Sequence, residues 1–381
     1  MSPYDTERLT TRGVEDSARI VVKIGSALLV DENSGEVRRD WLNSLADDIA
    51  ELKARKKQVL VVSSGAIAVG RRYLGLPKGP LKLEEKQAAA ATGQIRLPHA
   101  YQEALARHGI TVAQSLLSPD DTEERRRHLN ARSTLTALLG LGAVPVVNEN
   151  DTVATEEIRF GDNDRLGARV AQMVSADALI LLSDIDGLYT ADPRHDPTAT
   201  HIPFINHIDA EVEAMAGTAG SDHASGGMVT KIAAGKIATA AGCRMAIAKG
   251  DAPHPLRAIS DRVPVTWFAA TTTPRGARKN WIAGSLTPKG SFTLDDGALK
   301  ALNCGKSLLP AGVTTVGGSF ERGDPVEILD PAGRQVARGL SAYSASDARQ
   351  IIGYKSREIE QILGYRGRDE LVHRDDLVLE R

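Results

Sequence analysis

The residues with the most evident chemistry lie between Asn148 and Asp164. Asn148-Glu149-Asn150-Asp151 follows the apolar run Ala143–Val147 directly, and Gly161-Asp162-Asn163-Asp164 comes after a short crossover. The apolar run reads as a buried strand ended by polar turn residues. Ligands of open α/β sheets bind beyond the carboxyl ends of strands, where Asn148, Asn150 and Asp151 fall. Asp162 is suited to cap the next helix, with Asn163 and Asp164 in its first turn. Two lysines stand beside small residues that suit phosphate. Lys23 lies in Lys23-Ile24-Gly25-Ser26, after the strand-like Ile20-Val21-Val22, and Lys231 ends Gly226-Gly227-Met228-Val229-Thr230-Lys231. Ser63-Ser64-Gly65-Ala66 closes the run Val59–Val62, and Ser183-Asp184 closes Ala178–Leu182. Any one of these clusters reads equally well as a turn or cap. Their recurrence at strand ends points to phosphoryl transfer, whose catalysis is positioning plus charge neutralisation.

The elements that would hold these residues alternate between strand and helix over about 250 residues, the signature of βαβ units. Leu42, Leu45, Ile49 and Leu52 mark one buried helical face after a cap at Asp40. A loop is expected over 71–86 and a long helix over Lys86–His108, with Gly93 and Pro98 inside it. A strand over Thr111–Leu117 and a helix over Asp120–Leu139 precede the Ala143–Val147 strand. Arg244–Ala248 and Val263–Phe268 read as closing strands. The expected fold is α/β: a three-layer sandwich around a mainly parallel open sheet over residues 19–270. Residues 1–18 read as a flexible extension and 271–287 as a linker. Past the linker the texture changes to short β-like segments with glycine turns, as in Gly317-Gly318-Ser319-Phe320 and Arg322-Gly323-Asp324-Pro325. This is a small mainly-β domain over 288–370, with 371–381 as a tail.

Composition narrows the function. The chain has 381 residues, enough for two domains, and 47 Lys+Arg against 49 Asp+Glu. A net charge of -2 demands neither nucleic acid nor an anionic membrane. Two cysteines, Cys243 and Cys304, imply no disulfide framework and suit a cytoplasmic location. No apolar run approaches the ~20 residues of a membrane span, and the first eighteen residues lack a signal-peptide core. His195, His201 and His207 are the nearest approach to a histidine group, without metal-ligand spacing. Gly305-Lys306-Ser307 lacks the rest of a P-loop, and His373-Arg374-Asp375 lacks the metal-binding residues of a protein-kinase loop. With no G-x-G-x-x-G and no G-x-S-x-G, dehydrogenase and serine-hydrolase readings lose their support.

In their order along the chain, these motifs resemble the glutamate 5-kinase family of the amino-acid kinase superfamily. Gly187-Leu188-Tyr189-Thr190-Ala191-Asp192-Pro193 adds to the match, which runs from about residue 19 to 377. Gly318–Val326 with Ala337-Arg338-Gly339-Leu340 resembles the PUA domain that many members carry. The resemblance implies ATP-dependent phosphorylation of the L-glutamate side-chain carboxylate to L-glutamyl 5-phosphate, which opens proline biosynthesis. It places Lys23 and Lys231 on the phosphates, with Asp164 organising them. Ser64, Asn148, Asp151 and Asn163 fall on the substrate. Gly25, Ser183, Asp184 and Ser225-Gly226-Gly227-Met228-Val229-Thr230-Lys231 fall with Lys23 on the nucleotide, Ser183 and Ser225 standing where threonine is usual. Mg²⁺ is expected on the ATP phosphates, with no protein ligand assigned. Proline as feedback inhibitor, a dimer or tetramer, and channelling to glutamyl-phosphate reductase are further implications. Ten Lys/Arg against nine Asp/Glu over residues 288–367 argue against RNA as a partner. Another kinase of the superfamily, acting on N-acetylglutamate or aspartate, is the alternative reading.

The residues support the same chemistry. A side-chain carboxylate with pKa ~4.3 is already an anionic nucleophile at pH 7, so no general base is required. Its attack on an anionic phosphoryl group does require cations, which two lysines and Mg²⁺ supply.

Overall fold

The computed structural model describes residues 14–153, 155, 163–217, 227–260, 263–284 and 287–380. The chain divides into two compact units, Met1–Pro274 and Arg275–Arg381. In the first, the strands are β1 (Arg19–Ile24), β2 (Gln58–Ser63), β3 (Val112–Leu117), β4 (Val144–Glu149), β5 (Ala178–Ser183), β6 (Leu188–Tyr189), β7 (His201–Ile202), β8 (Phe204–Ile205), β9 (Arg244–Lys249) and β10 (Val265–Phe268). The helices are α1 (Ser26–Leu29), α2 (Arg39–Ala54), α3 (Ala66–Tyr73), α4 (Leu83–Ala106), α5 (Pro119–Glu123), α6 (Arg125–Gly140), α7 (Asn163–Val174), α8 (Ala210–Met215), α9 (Met228–Ala240) and α10 (Pro255–Ser260). Eight strands form one sheet in the order β3-β4-β2-β1-β5-β9-β10-β8. Every neighbouring pair is parallel except β9 with β10.

Strands that are apolar on both faces must be covered on both, which makes three layers. Ile20, Val22 and Ile24 of β1 pack with Leu42, Leu45 and Ile49 of α2 and with Leu97 and Tyr101 of α4. Val21 faces the other way, into a core with Leu166 and Val170 of α7, Ile232 of α9 and Leu135 of α6. This alternation fixes which side chains share a sheet face, because residues two apart along a strand point the same way.

Two glycines set how α3 lies at the end of β2. Gly65 joins them with φ of 105°, a left-handed conformation that a side chain would strain. Gly93 of α4 lies so close to α3 that an added Cβ would stand 1.8 Å from the Ala66 carbonyl oxygen. Gly93→Ala must therefore push α4 off α3. An overpacking cost of about 1–3 kcal/mol or more is expected, read as a lowered midpoint in urea unfolding. An unchanged midpoint would mean that the crossing relaxes without penalty.

The second unit begins one residue into α11 (Pro274–Gly284), followed by β11 (Gly290–Leu294), α12 (Asp296–Asn303), β12 (Val313–Gly318), β13 (Pro325–Leu329), β14 (Gln335–Leu340), α13 (Ala345–Ile351), α14 (Ile359–Leu363) and β15 (Leu377–Leu379). Its five strands run β12-β11-β13-β14-β15. Only β11 and β13 pair in parallel. Phe292, Val326, Ile328 and Ala337 bury the centre, and Phe320 meets Phe292 edge to face at 5.5 Å.

Several expectations change. β4 runs through Asn148 and Glu149 instead of stopping at Val147, because β3 pairs with it to the end, Leu117 opposite Glu149. Asp40 lies in the first turn of α2, whose N-cap is Arg38. The loop expected over 71–86 shrinks, since α3 runs to Tyr73 and α4 starts at Leu83. The helix expected over Asp120–Leu139 divides where Glu124 turns extended, at ψ of 117°, after a capping box of Ser118 and Asp121. Residues 271–287, read as a linker, contain α11, with Pro274 at its first position, where a missing N–H costs nothing. Residues 371–381, read as a tail, contain β15, which pairs with β14. Asp162, expected to cap α7, and most of the 1–18 extension lie outside the described residues.

Candidate active site

Lys23 is the fifth residue of β1 and points to the face that α7 and α9 cover. Gly167 of α7 lies directly over it: a Cβ there would be 3.3 Å from the Lys23 Cβ. Asp164, in the first turn of α7, is fully buried. Its Oδ1 lies 2.5 Å from the Lys23 ammonium and its Oδ2 3.2 Å from the Lys231 ammonium. Lys231 comes down from the first turn of α9 and is itself only 4% exposed. The Thr230 hydroxyl sits 3.1 Å from Asp164 Oδ2 and 2.7 Å from the Gly227 carbonyl, so its one proton serves one of them at a time. Three charged groups from β1, α7 and α9 thus form a single buried cluster with one excess positive charge. Burial by itself would raise the Asp164 carboxyl. The Lys23 and Lys231 ammoniums overcome it and hold the group below the ordinary carboxylate range.

Beside this cluster, Asn163 gathers two strand ends. Its Nδ2 donates to Ser64 Oγ at 2.6 Å and lies 3.2 Å from Asn148 Oδ1 and 3.3 Å from the Ser63 carbonyl. Ser64 donates its own backbone N–H to the Ile24 carbonyl, which ties the β2 end to β1. Asn148, Asn163 and Ser64, which the resemblance assigns to the substrate, thus lie together. Asn150 turns the chain instead, accepting the Thr152 hydroxyl at 2.6 Å. Asp151 follows, half-buried. Burial, reinforced by the negative charge of Glu149, pushes its carboxyl up to about 7.

Ser183 ends β5 and donates its hydroxyl to Asp184 Oδ1 at 2.9 Å, while its carbonyl accepts the Gly250 N–H. Gly25 caps the short α1, and a Cβ there would make only ordinary contact, with the Leu182 carbonyl at 3.8 Å. Among the described residues nothing requires glycine at this position. Gly227, Met228, Val229 and Thr230 open α9 with Gly227 as N-cap, so the free amides of that turn face the same end as Lys231. Ser225 and Gly226 lie outside the described residues.

The sequence reading missed two residues that shape the end of β4. Glu149 is buried at 7% and sets the charge environment of Asp151. Gln94 of α4 donates to the Glu149 carbonyl at 3.2 Å, fixing the end of β4. Glu149 lay in plain view within Asn148–Asp151, and its burial needed only the longer strand. Gln94 gives no sequence signal, since its partner is 55 positions away.

The amino acid kinase family model matches residues 18–249, and the PUA domain model matches residues 290–363. The glutamate 5-kinase of Paramagnetospirillum magneticum is 66% identical over 95% of this chain and 98% of its own. This chain belongs to the glutamate 5-kinase family. A second glutamate 5-kinase, from Rhodopseudomonas palustris, is 59% identical over 96% of this chain and 97% of its own. Among solved structures, the UMP kinase of Ureaplasma parvum covers 66% of this chain and 98% of its own at 17% identity and a TM-score of 0.46. As a member of that family the chain is an enzyme with an amino acid kinase domain and a C-terminal PUA domain. Among the described residues, no helix is long and apolar enough to cross a membrane.

Proposed function

We propose that this enzyme transfers the γ-phosphoryl group of ATP to the side-chain carboxylate of L-glutamate, giving L-glutamyl 5-phosphate and opening proline biosynthesis. The observation that carries the reading is Asp164, fully buried between the Lys23 and Lys231 ammoniums at 2.5 and 3.2 Å. Two cations held by one carboxylate in a dry site are suited to a reaction in which two anions meet. The relatives at 58–66% identity carry the glutamate 5-kinase name.

The steps assigned to the chain are few. The glutamate carboxylate oxygen attacks the γ-phosphorus, an O–P bond forms, and the bond to the β–γ bridging oxygen breaks in line, releasing ADP. No proton moves, so no base is needed. Lys23 and Lys231 neutralise charge on the transferring group, and Asp164 keeps both ammoniums aimed at it. Ser64, Asn148 and Asn163 hold the substrate, with Asp151 at its α-ammonium. Ser183, Asp184 and the first turn of α9 hold the nucleotide. Among the described residues no three His, Cys, Asp or Glu side chains gather as metal ligands. Mg²⁺ bound together with ATP would supply further charge neutralisation.

An ADP-release assay with ATP and either glutamate, aspartate or N-acetylglutamate tests the reading. Turnover on glutamate should exceed the others by at least tenfold in kcat/KM. Preference for N-acetylglutamate would reassign the chain within its superfamily.

A further inference from the structure

Lys249 has no part in the reading above, yet it lies beside the same site. It is the last residue of β9 and pairs across the sheet with Ser183, the last residue of β5. In the same register Ile247 pairs with Leu181, and Leu181 with Lys23. Leu181 and Ile247 both pack into the core beneath α7 and α9. Residues two apart on a strand share a face, so Ser183 and Lys249 project on the side of Lys23, Asp164 and Lys231. Two strand spacings across and two residues along put the Lys249 Cα about 12 Å from that of Lys23. A nucleoside polyphosphate can bridge that distance.

The surroundings of Lys249 suit a cation that changes partner. Its ammonium pairs with Asp251 at 3.0 Å, both side chains being about half exposed at 51% and 54%. Exposed pairs of this kind contribute little, so exchanging the carboxylate for a phosphate costs little. The Asp251 hydrogen bond and charge, with the nearby Asp186 and Asp184 carboxylates, raise the Lys249 pKa and keep it cationic. Asp184 carries the hydroxyl contact of Ser183, so Asp184 and Lys249 lie at the same carboxyl-terminal end of neighbouring strands.

We infer that Lys249 is a nucleotide-binding residue that leaves Asp251 to contact the non-transferred phosphates of a nucleoside di- or triphosphate. The inference rests on the nucleotide lying along Ser183 and Asp184, as proposed above. Lys23 and Lys231 then hold the phosphoryl group that moves, and Lys249 the diphosphate that stays behind.

Calorimetric binding of Mg·ADP and of adenosine to the full chain tests this, with Lys249→Met, Lys249→Arg and Asp184→Ala. Lys249→Met should weaken ADP about 5- to 30-fold, the range of one charge-assisted hydrogen bond partly open to water. Adenosine binding should not change, and Lys249→Arg should restore most of the ADP affinity. If Asp184→Ala weakens ADP while Lys249→Met does not, the inference is overturned and the nucleotide site stands. If neither variant affects ADP, the placement of the nucleotide fails and the inference falls with it. Equal losses of ADP and adenosine would also overturn it, since a phosphate contact cannot act on a ligand without phosphate.

Discussion

Lys23→Met and Lys231→Met should each lower kcat about 10²- to 10³-fold, the usual loss for one preorganised electrostatic donor, with far smaller changes in either KM. The stability readout separates this from a structural role. Asp164 is fully buried and touches both ammoniums, so removing one lysine still leaves it paired with the other. Folding should suffer little, and a methionine of similar volume fills the space. Asp164→Ala is a different case. It leaves two ammoniums, on residues 7% and 4% exposed, with no carboxylate between them, and an uncompensated buried charge costs about 3–5 kcal/mol. That variant should lose both turnover and melting temperature, and Asp164→Asn should recover part of the stability but little turnover. The pH dependence has a definite sign. The Asp164 pKa is lowered on folding, so its stabilising contribution is present above the ordinary carboxylate value and is lost as pH falls through the lowered one. Near-normal kcat in either lysine variant would mean that the cluster is a structural ion pair only.

How much of this could be read beforehand depended on how local each signal was. The runs at Ile20–Val22, Val59–Val62 and Ala178–Leu182 became central strands because a short, uninterrupted apolar stretch fits a parallel sheet covered on both faces. Lys23, Asp164 and Lys231 stood out by residue type and setting, yet their meeting at one point depends on the order β2-β1-β5-β9, which no spacing encodes. The end of β4 is not legible in the sequence, because Asn148 and Glu149 look like turn residues. Pairing with β3 overrode that preference and so buried Glu149. The 271–287 stretch misled in the same way: Thr, Pro and Gly suggested a linker, but Pro274 is compatible with the first turn of α11. Lys249 was invisible for another reason. Its face is known only from the register Lys23–Leu181, Leu181–Ile247 and Ser183–Lys249.

Asp151→Asn should raise KM for glutamate about 10- to 150-fold and leave KM for ATP nearly unchanged, the cost of one charged hydrogen bond of about 1.5–3 kcal/mol. Free glutamate carries an α-ammonium where N-acetylglutamate has a neutral amide, so the variant should also narrow the preference between them. The structure adds a pH test. Burial and the Glu149 charge put the Asp151 carboxyl at about 7, so it is half protonated at neutral pH before substrate arrives. A substrate ammonium needs the ionised form, and binding must then expel the proton. With a pKa of about 7, only about a tenth of the carboxyls are ionised at pH 6, so KM for glutamate should rise about tenfold from its plateau above pH 8. In Asp151→Asn that slope should vanish. Stability moves in the opposite sense from Asp164. A carboxyl with a raised folded pKa favours the folded state most at low pH, and its contribution declines as pH rises from the ordinary carboxylate value through about 7. At pH 8 the ionised Asp151 is a burden on the fold, and Asp151→Asn should melt no lower than the parent chain. If Asp151 only caps the turn after β4, the same variant should melt lower at pH 8 and keep its KM. Both Michaelis constants at pH 6 and 8, with melting temperatures at pH 8, distinguish the two roles in one variant.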